Sequence, residues 1–97
     1  MKHTLDNGVL TICPEGELNS YTVGAVEKEI DALLDAKGFN SIVLDFEKLN
    51  YISSAGLRII VRLKQEYDDI SIVRVPELIY DVLTMVGFNK IAKVEKL

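Results

Sequence analysis

Cysteine, histidine and proline are scarce in this chain and tryptophan is absent: one Cys, one His and two Pro in 97 residues. With Cys13 alone, no disulfide can close within the chain, and with His3 as the sole imidazole a Cys/His metal site cannot be assembled. Long apolar runs are missing as well. Stretches such as Ile59 to Val61, or Ile79 to Leu83 with Asp81 inside it, are far too short to cross a bilayer, so direct membrane insertion is not expected. The opening Met1-Lys2-His3-Thr4-Leu5-Asp6 lacks the apolar core and cleavage site of a secretory signal, so a cytoplasmic location is expected. Lysine and arginine are scattered and the net charge is −4, which argues against a nucleic-acid partner, because such proteins concentrate their basic residues on one face. A Gly-rich phosphate loop, a nucleophile elbow and a paired acid and base are all lacking, so neither a cofactor nor an enzymatic activity is expected.

What is present suits one compact α/β domain over residues 1–97, with 48% hydrophobic residues to fill a core. His3 to Leu5 and Val9 to Cys13 flank Asn7-Gly8, a pair that accepts the positive φ angles of a tight turn, and together they predict a β-hairpin. Asn19 and Ser20 offer caps for a helix carrying Val23, Val26, Ile30, Leu33 and Leu34 at helical spacing and ending near Gly38. Glu27, Lys28, Asp31 and Asp35 on its outer face read as a solvated surface. The dense, β-branched run from Ser41 to Phe46 predicts a central strand covered on both faces. A second helix, capped by Ser53 or Ser54, continues to about Tyr67 and is expected to bury Leu57, Ile60, Val61 and the stem of Lys64. A strand over Ile70 to Val75 then meets Pro76, and Leu78, Ile79, Val82, Leu83 and Val86 predict a third helix closed by Gly87, with Phe88 folding back on its last turn. Ile91 to Glu95 makes a last short strand. The β-α-β alternation after the hairpin favours a mainly parallel sheet, while periodicity leaves open whether helices cover one face or both.

Three segments, in order, carry a resemblance. Leu44-Asp45-Phe46 through Tyr51-Ile52-Ser53-Ser54-Ala55-Gly56-Leu57-Arg58 is similar to an apolar strand followed by Asp-Ser-Ser-Gly-Leu-Gly. Glu15-Gly16-Glu17-Leu18-Asn19 resembles Gly-Glu-Leu-Asp before a first helix, and Met85-Val86-Gly87-Phe88 resembles Met-Ser-Gly-Leu before a last strand. On these motifs, which span essentially the whole chain, it resembles the STAS domains, specifically the bacterial anti-sigma factor antagonists. The resemblance implies the STAS fold: a mixed, mainly parallel sheet with an N-terminal antiparallel hairpin and about three helices packed largely on one side. It also implies a regulator whose partners are an anti-sigma factor serine kinase and a serine phosphatase; a monomer is expected. In that cycle the unphosphorylated antagonist binds the anti-sigma factor and frees a sigma factor, and phosphorylation ends the complex. Matching on Gly56-Leu57 places the phosphoserine at Ser54. A role as a STAS accessory subunit of a transporter or signalling scaffold, with Ser54 unphosphorylated, is the alternative.

A serine in the first turn of a helix lies near free backbone N–H groups and the positive end of the helix dipole, so a phosphate there is tolerated by the fold. Read from the residues alone, Ser54 is an N-cap worth about 1 kcal/mol. Ala55 and Gly56 are small and are expected to leave the loop open to a kinase. Where the family pattern has Asp, Asp and Gly, this chain has Asn19, Ser53 and Arg58, and all three changes make the site less negative. Arg58 follows Ser54 by four residues and is placed to reach back over the first turn. Arg62 and Gln65 continue its stripe, which faces either solvent or a partner. Asp45 and Glu47 lie near the end of the central strand without the acidic cluster and lysine that a receiver domain needs, and Cys13 reads as an inert strand residue.

Overall fold

The computed structural model describes residues 1–35 and 38–97. Strands β1 (Lys2–Asp6) and β2 (Val9–Cys13) form the expected hairpin, with Asp6 opposite Val9. Asn7 and Gly8 both have positive φ, 51° and 79°, the pairing that a two-residue turn needs to follow the right-handed twist of its strands. After β3 (Gly16–Leu18) comes α1 (Val23–Leu34), then β4 (Ser41–Asp45), β5 (Leu49–Ile52), α2 (Ser54–Glu66), β6 (Ile70–Val75), α3 (Glu77–Met85) and β7 (Lys93–Lys96). Helix α1 stops at Leu34, short of Gly38.

The main sheet runs β1-β2-β4-β6-β7, antiparallel at the hairpin and parallel elsewhere, and β4 is its middle strand as expected. Burial alternates along β2, β4 and β6, while β1 is exposed throughout. Leu10, Ile12, Ile42, Leu44, Ile70 and Ile72 are buried and join Ile30 of α1, Ile59, Ile60 and Leu63 of α2, and Ile79 and Leu83 of α3 in one core. Thr11, Val43 and Ser71, side by side in the register between those rows, are only half-buried. The central strand is therefore covered on one face, not on both. Its β-branched density serves lateral packing, with Val43 between Thr11 and Ser71, as much as it serves the core.

Two helical faces are rotated from their expected phases. Helix α2 buries Gly56, Ile59, Ile60 and Leu63, while Leu57 is half-buried and Val61 is exposed. Helix α3 buries Ile79 and Leu83 and leaves Leu78 and Val86 exposed. An apolar stripe wider than the contact it makes leaves its edge residues in solvent, which periodicity alone does not reveal. Gly87 ends α3 at φ 79°, its N–H donating to the Thr84 carbonyl at 3.0 Å, and Phe88 folds back into the core. A short 3₁₀ turn, Phe88–Lys90, then delays the last strand to Lys93.

Candidate functional site

Strands β3 and β5 stand apart from the main sheet as a parallel pair, with Leu18 opposite Ile52. The chain leaves both at their carboxyl ends, so the turns beginning at Asn19 and Ser53 lie side by side, and the Ser53 N–H donates to the Leu18 carbonyl at 2.9 Å. The Asn19 Oδ1 accepts from the N–H groups of Tyr21 (2.8 Å) and Thr22 (3.1 Å), and its Nδ2 donates to Glu17 Oε1 at 3.0 Å. Asn19 thus closes the turn before α1, but the helix's N-cap is Thr22, without a side-chain cap bond, not the expected Asn19 or Ser20; Tyr21, just before Thr22, is 95% exposed.

Of the two serines, Ser53 is the cap of α2: its backbone is extended and its Oγ accepts from the Gly56 N–H at 3.4 Å. Ser54 is the first helical residue and is exposed, and among the described residues no hydrogen bond engages its hydroxyl. Gly56 faces inward. A Cβ there would stand 2.8 Å from side-chain carbons of Ile52 and Leu18, and 3.0 Å from the Leu18 carbonyl oxygen. Its smallness seats the first turn of α2 on β3 and β5, which corrects the expectation that it keeps the loop open to an approaching enzyme. Ala55 is half-buried.

Ser54 and Arg58 border an apolar groove formed by Leu57 and Val61 of α2 with Val86, Phe88 and Ile91 from beyond α3. Val86 and Ile91 are each more than half exposed, and Met85 beside them is 82% exposed. An apolar patch of this kind on a small chain marks a surface for protein contact. On the other side of Arg58 a second groove, between α1 and α2, includes Val23, Glu27, Ala55 and Arg62.

The structure separates Arg58 from Arg62. Arg62 is held by three carboxylates: Nε to Glu27 at 2.9 Å, Nη2 to Asp31 at 2.8 Å and Nη1 to Glu66 at 2.6 Å. The hydrogen bond it donates to Asp31, only partly opposed by burial, and those it donates to Glu66 hold its pKa above the usual arginine value. Glu27 and Asp31 are consequently not a merely solvated face; they tie α1 to α2. Arg58 is exposed and makes no ion pair among the described residues.

At the ends of β4 and β6 lies a second polar cluster, in which Asp45 and Glu47 are joined by Arg74, a partner that sequence reasoning missed. Asp45, the buried carboxylate of the core, accepts from Arg74 Nε at 3.2 and 3.1 Å and from Arg74 Nη2, while Arg74 Nη1 lies 3.3 Å from Glu47. Arg74 has φ 51°, in the left-handed region, beside the irregular register between β6 and β7. Burial raises the Asp45 pKa as the largest single influence. The hydrogen bonds from Arg74 and from the Glu47 N–H, with the Arg74 charge, outweigh it and hold the carboxyl below its usual range. Burial, then the Asp45 charge, pushes the neighbouring Cys13 thiol up, which makes it a poor nucleophile. Among the described residues no three His, Cys, Asp or Glu side chains converge as metal ligands, and no helix is long and apolar enough to cross a membrane.

Comparison with known proteins places this geometry. Residues 2–96 match the family model of the STAS domain, and the chain belongs to that family. Within it, the chain belongs with the anti-sigma factor antagonists. It is similar to the protein of Bordetella bronchiseptica named as an anti-sigma factor antagonist, BtrV, with 35% identity over 97 residues, covering 94% of this chain and 83% of that protein. The fold is that of an anti-sigma factor antagonist from Mycobacterium paratuberculosis, at TM-score 0.88 and 18% identity, covering 99% of this chain and 84% of the other. It is also that of the antagonist SpoIIAA in its unphosphorylated form, at TM-score 0.74 and 16% identity, covering 96% and 87%.

Proposed function

We propose that this chain is a partner-switching anti-sigma factor antagonist: unmodified, it binds an anti-sigma factor that is an ATP-dependent serine kinase and so frees a sigma factor. Phosphoryl transfer to Ser54 ends the complex, and a serine phosphatase restores the chain. In the transfer, the Ser54 oxygen forms a bond to the γ-phosphorus of ATP as the bond to the ADP oxygen breaks, and the hydroxyl proton is released. The observation that carries this reading is the placement of Ser54: exposed, in the first turn of α2, with its hydroxyl uncommitted, on the rim of an exposed apolar groove. A phosphate of about −1.5 to −2 charge on that rim brings desolvation and like-charge penalties to a docked partner while the helix N-terminus tolerates it. Asn19, Ser53, Ala55, Gly56 and Leu57 shape this surface, and Arg62 braces α2 beneath it.

The test is affinity capture from the native cell extract with ATP present, comparing the native chain with Ser54→Glu by mass spectrometry. A serine-kinase anti-sigma factor retained by the native chain and lost with Ser54→Glu is the expected result. Transporter or scaffold components recovered equally with both would overturn the reading and leave Ser54 a helix residue in a STAS accessory subunit.

A further inference from the structure

In a chain of net charge −4, the guanidinium of Arg58 makes no ion pair with a carboxylate among the described residues. Glu27 shares a groove with it, but Arg62 already holds Glu27 at 2.9 Å, and the first turn of α2 carries no acidic residue. Arg58 therefore presents an uncompensated positive charge one helical turn after Ser54, lining the same groove. Side chains on a helix lean toward its amino terminus, and residues four apart are neighbours on its surface, so the direction of lean carries this charge toward Ser54.

We propose that Arg58 is the receptor, within the chain, for a phosphate on Ser54. The inference rests on the reading of Ser54 as the modified residue and adds how the modified state is held. The planar guanidinium donates two hydrogen bonds to phosphate oxygens, a charge-assisted fork that an ammonium cannot reproduce. Modification then changes the surface twice: it adds an anion at the groove and withdraws the one cation that Arg58 offers a partner there.

The test is a ³¹P NMR titration of the full chain carrying phosphoserine at position 54, installed by encoded incorporation, in the native background and with Arg58→Ala and Arg58→Lys. The second phosphate pKa, ordinarily near 6, is expected to lie at least about half a unit lower in the native background than in Arg58→Ala, with Arg58→Lys between them. Superimposable titrations of the native and Arg58→Ala proteins would overturn the proposal. The helix N-terminus is common to all three samples and cancels. Arg58 is exposed and unpaired, so the variants fold, which far-UV circular dichroism checks. Because the phosphate is installed without kinase or partner, failure of this ion pair and failure of the switching cycle are read separately: the titration reports only the first, and the capture experiment only the second.

Discussion

Arg58 and Arg62 stand one turn apart on the same helix, and their surroundings give them opposite roles. Arg62 sits where Glu27 and Asp31 of α1 and Glu66 of α2 converge, and each of its donor groups is taken. Arg58 follows a first turn of α2 that carries no acidic residue, and among the described residues it makes no ion pair. Arg74 adds a third state, its guanidinium locked onto the buried Asp45. The carboxyl-terminal half of α2 is fastened to the fold, while the amino-terminal half is left chemically open. Residue type does not separate the two arginines; the carboxylates within reach do.

Several substitutions break or sharpen that contrast. Leu63→Ala removes a fully buried side chain from beneath both halves of α2 and is expected to lower unfolding free energy by about 3 kcal/mol, read from the urea midpoint. Gly56→Ala strikes the open half alone. Its methyl group collides with Ile52 and Leu18, so a loss of about 1–3 kcal/mol is expected. The same change displaces the Ser54 turn and abolishes partner capture, and full capture would show that the turn tolerates the shift. Asp45→Asn weakens the third arginine's anchor by about 1–2 kcal/mol at neutral pH. Because folding lowers the Asp45 pKa, its stabilisation is present above the unfolded value, about pH 4, and fades as pH falls through the folded value. The native chain and Asp45→Asn should therefore converge in thermal melts in strong acid. Arg62→Ala is expected to cost about 1 kcal/mol or less, since its partners are well solvated, and the difference should shrink in 1 M salt, where the screening length is about 3 Å. Arg58→Ala should change stability by less than about 0.5 kcal/mol; a loss equal to that of Arg62→Ala would erase the contrast.

The features legible in the sequence were those written in local chemistry. Asn7-Gly8 announces its turn because few other pairs accept two positive φ angles, and Gly87 announces the end of α3 for the same reason. The Ser41 to Asp45 strand is readable from its β-branched density, but the openness of its second face is not, since that depends on where the three helices settle. Val61 lies exposed where it was expected to be buried, because a shift of the buried face of α2 by one residue, to Gly56, Ile59, Ile60 and Leu63, leaves a comparably apolar stripe. The β3–β5 pair escaped notice at three and four residues, too short for alternation to register. Ser54 was placed by motif; the cage around Arg62 was not, because Glu27 and Asp31 lie 35 and 31 residues away and show only the i,i+4 spacing common to solvated helices. Nothing in the sequence announces the left-handed backbone of Arg74.

The inward-facing hydrogen of Gly56 and the outward-facing side chain of Arg58, two residues on, divide this surface into a part closed to drift and a part open to it. Any side chain at position 56 disturbs folding before it alters recognition, whereas position 58 can take a positive, neutral or negative group and leave the scaffold intact. Under the proposed switch, a change at position 58 thus retunes how the surface meets a phosphate, without the chain having to relearn how to fold.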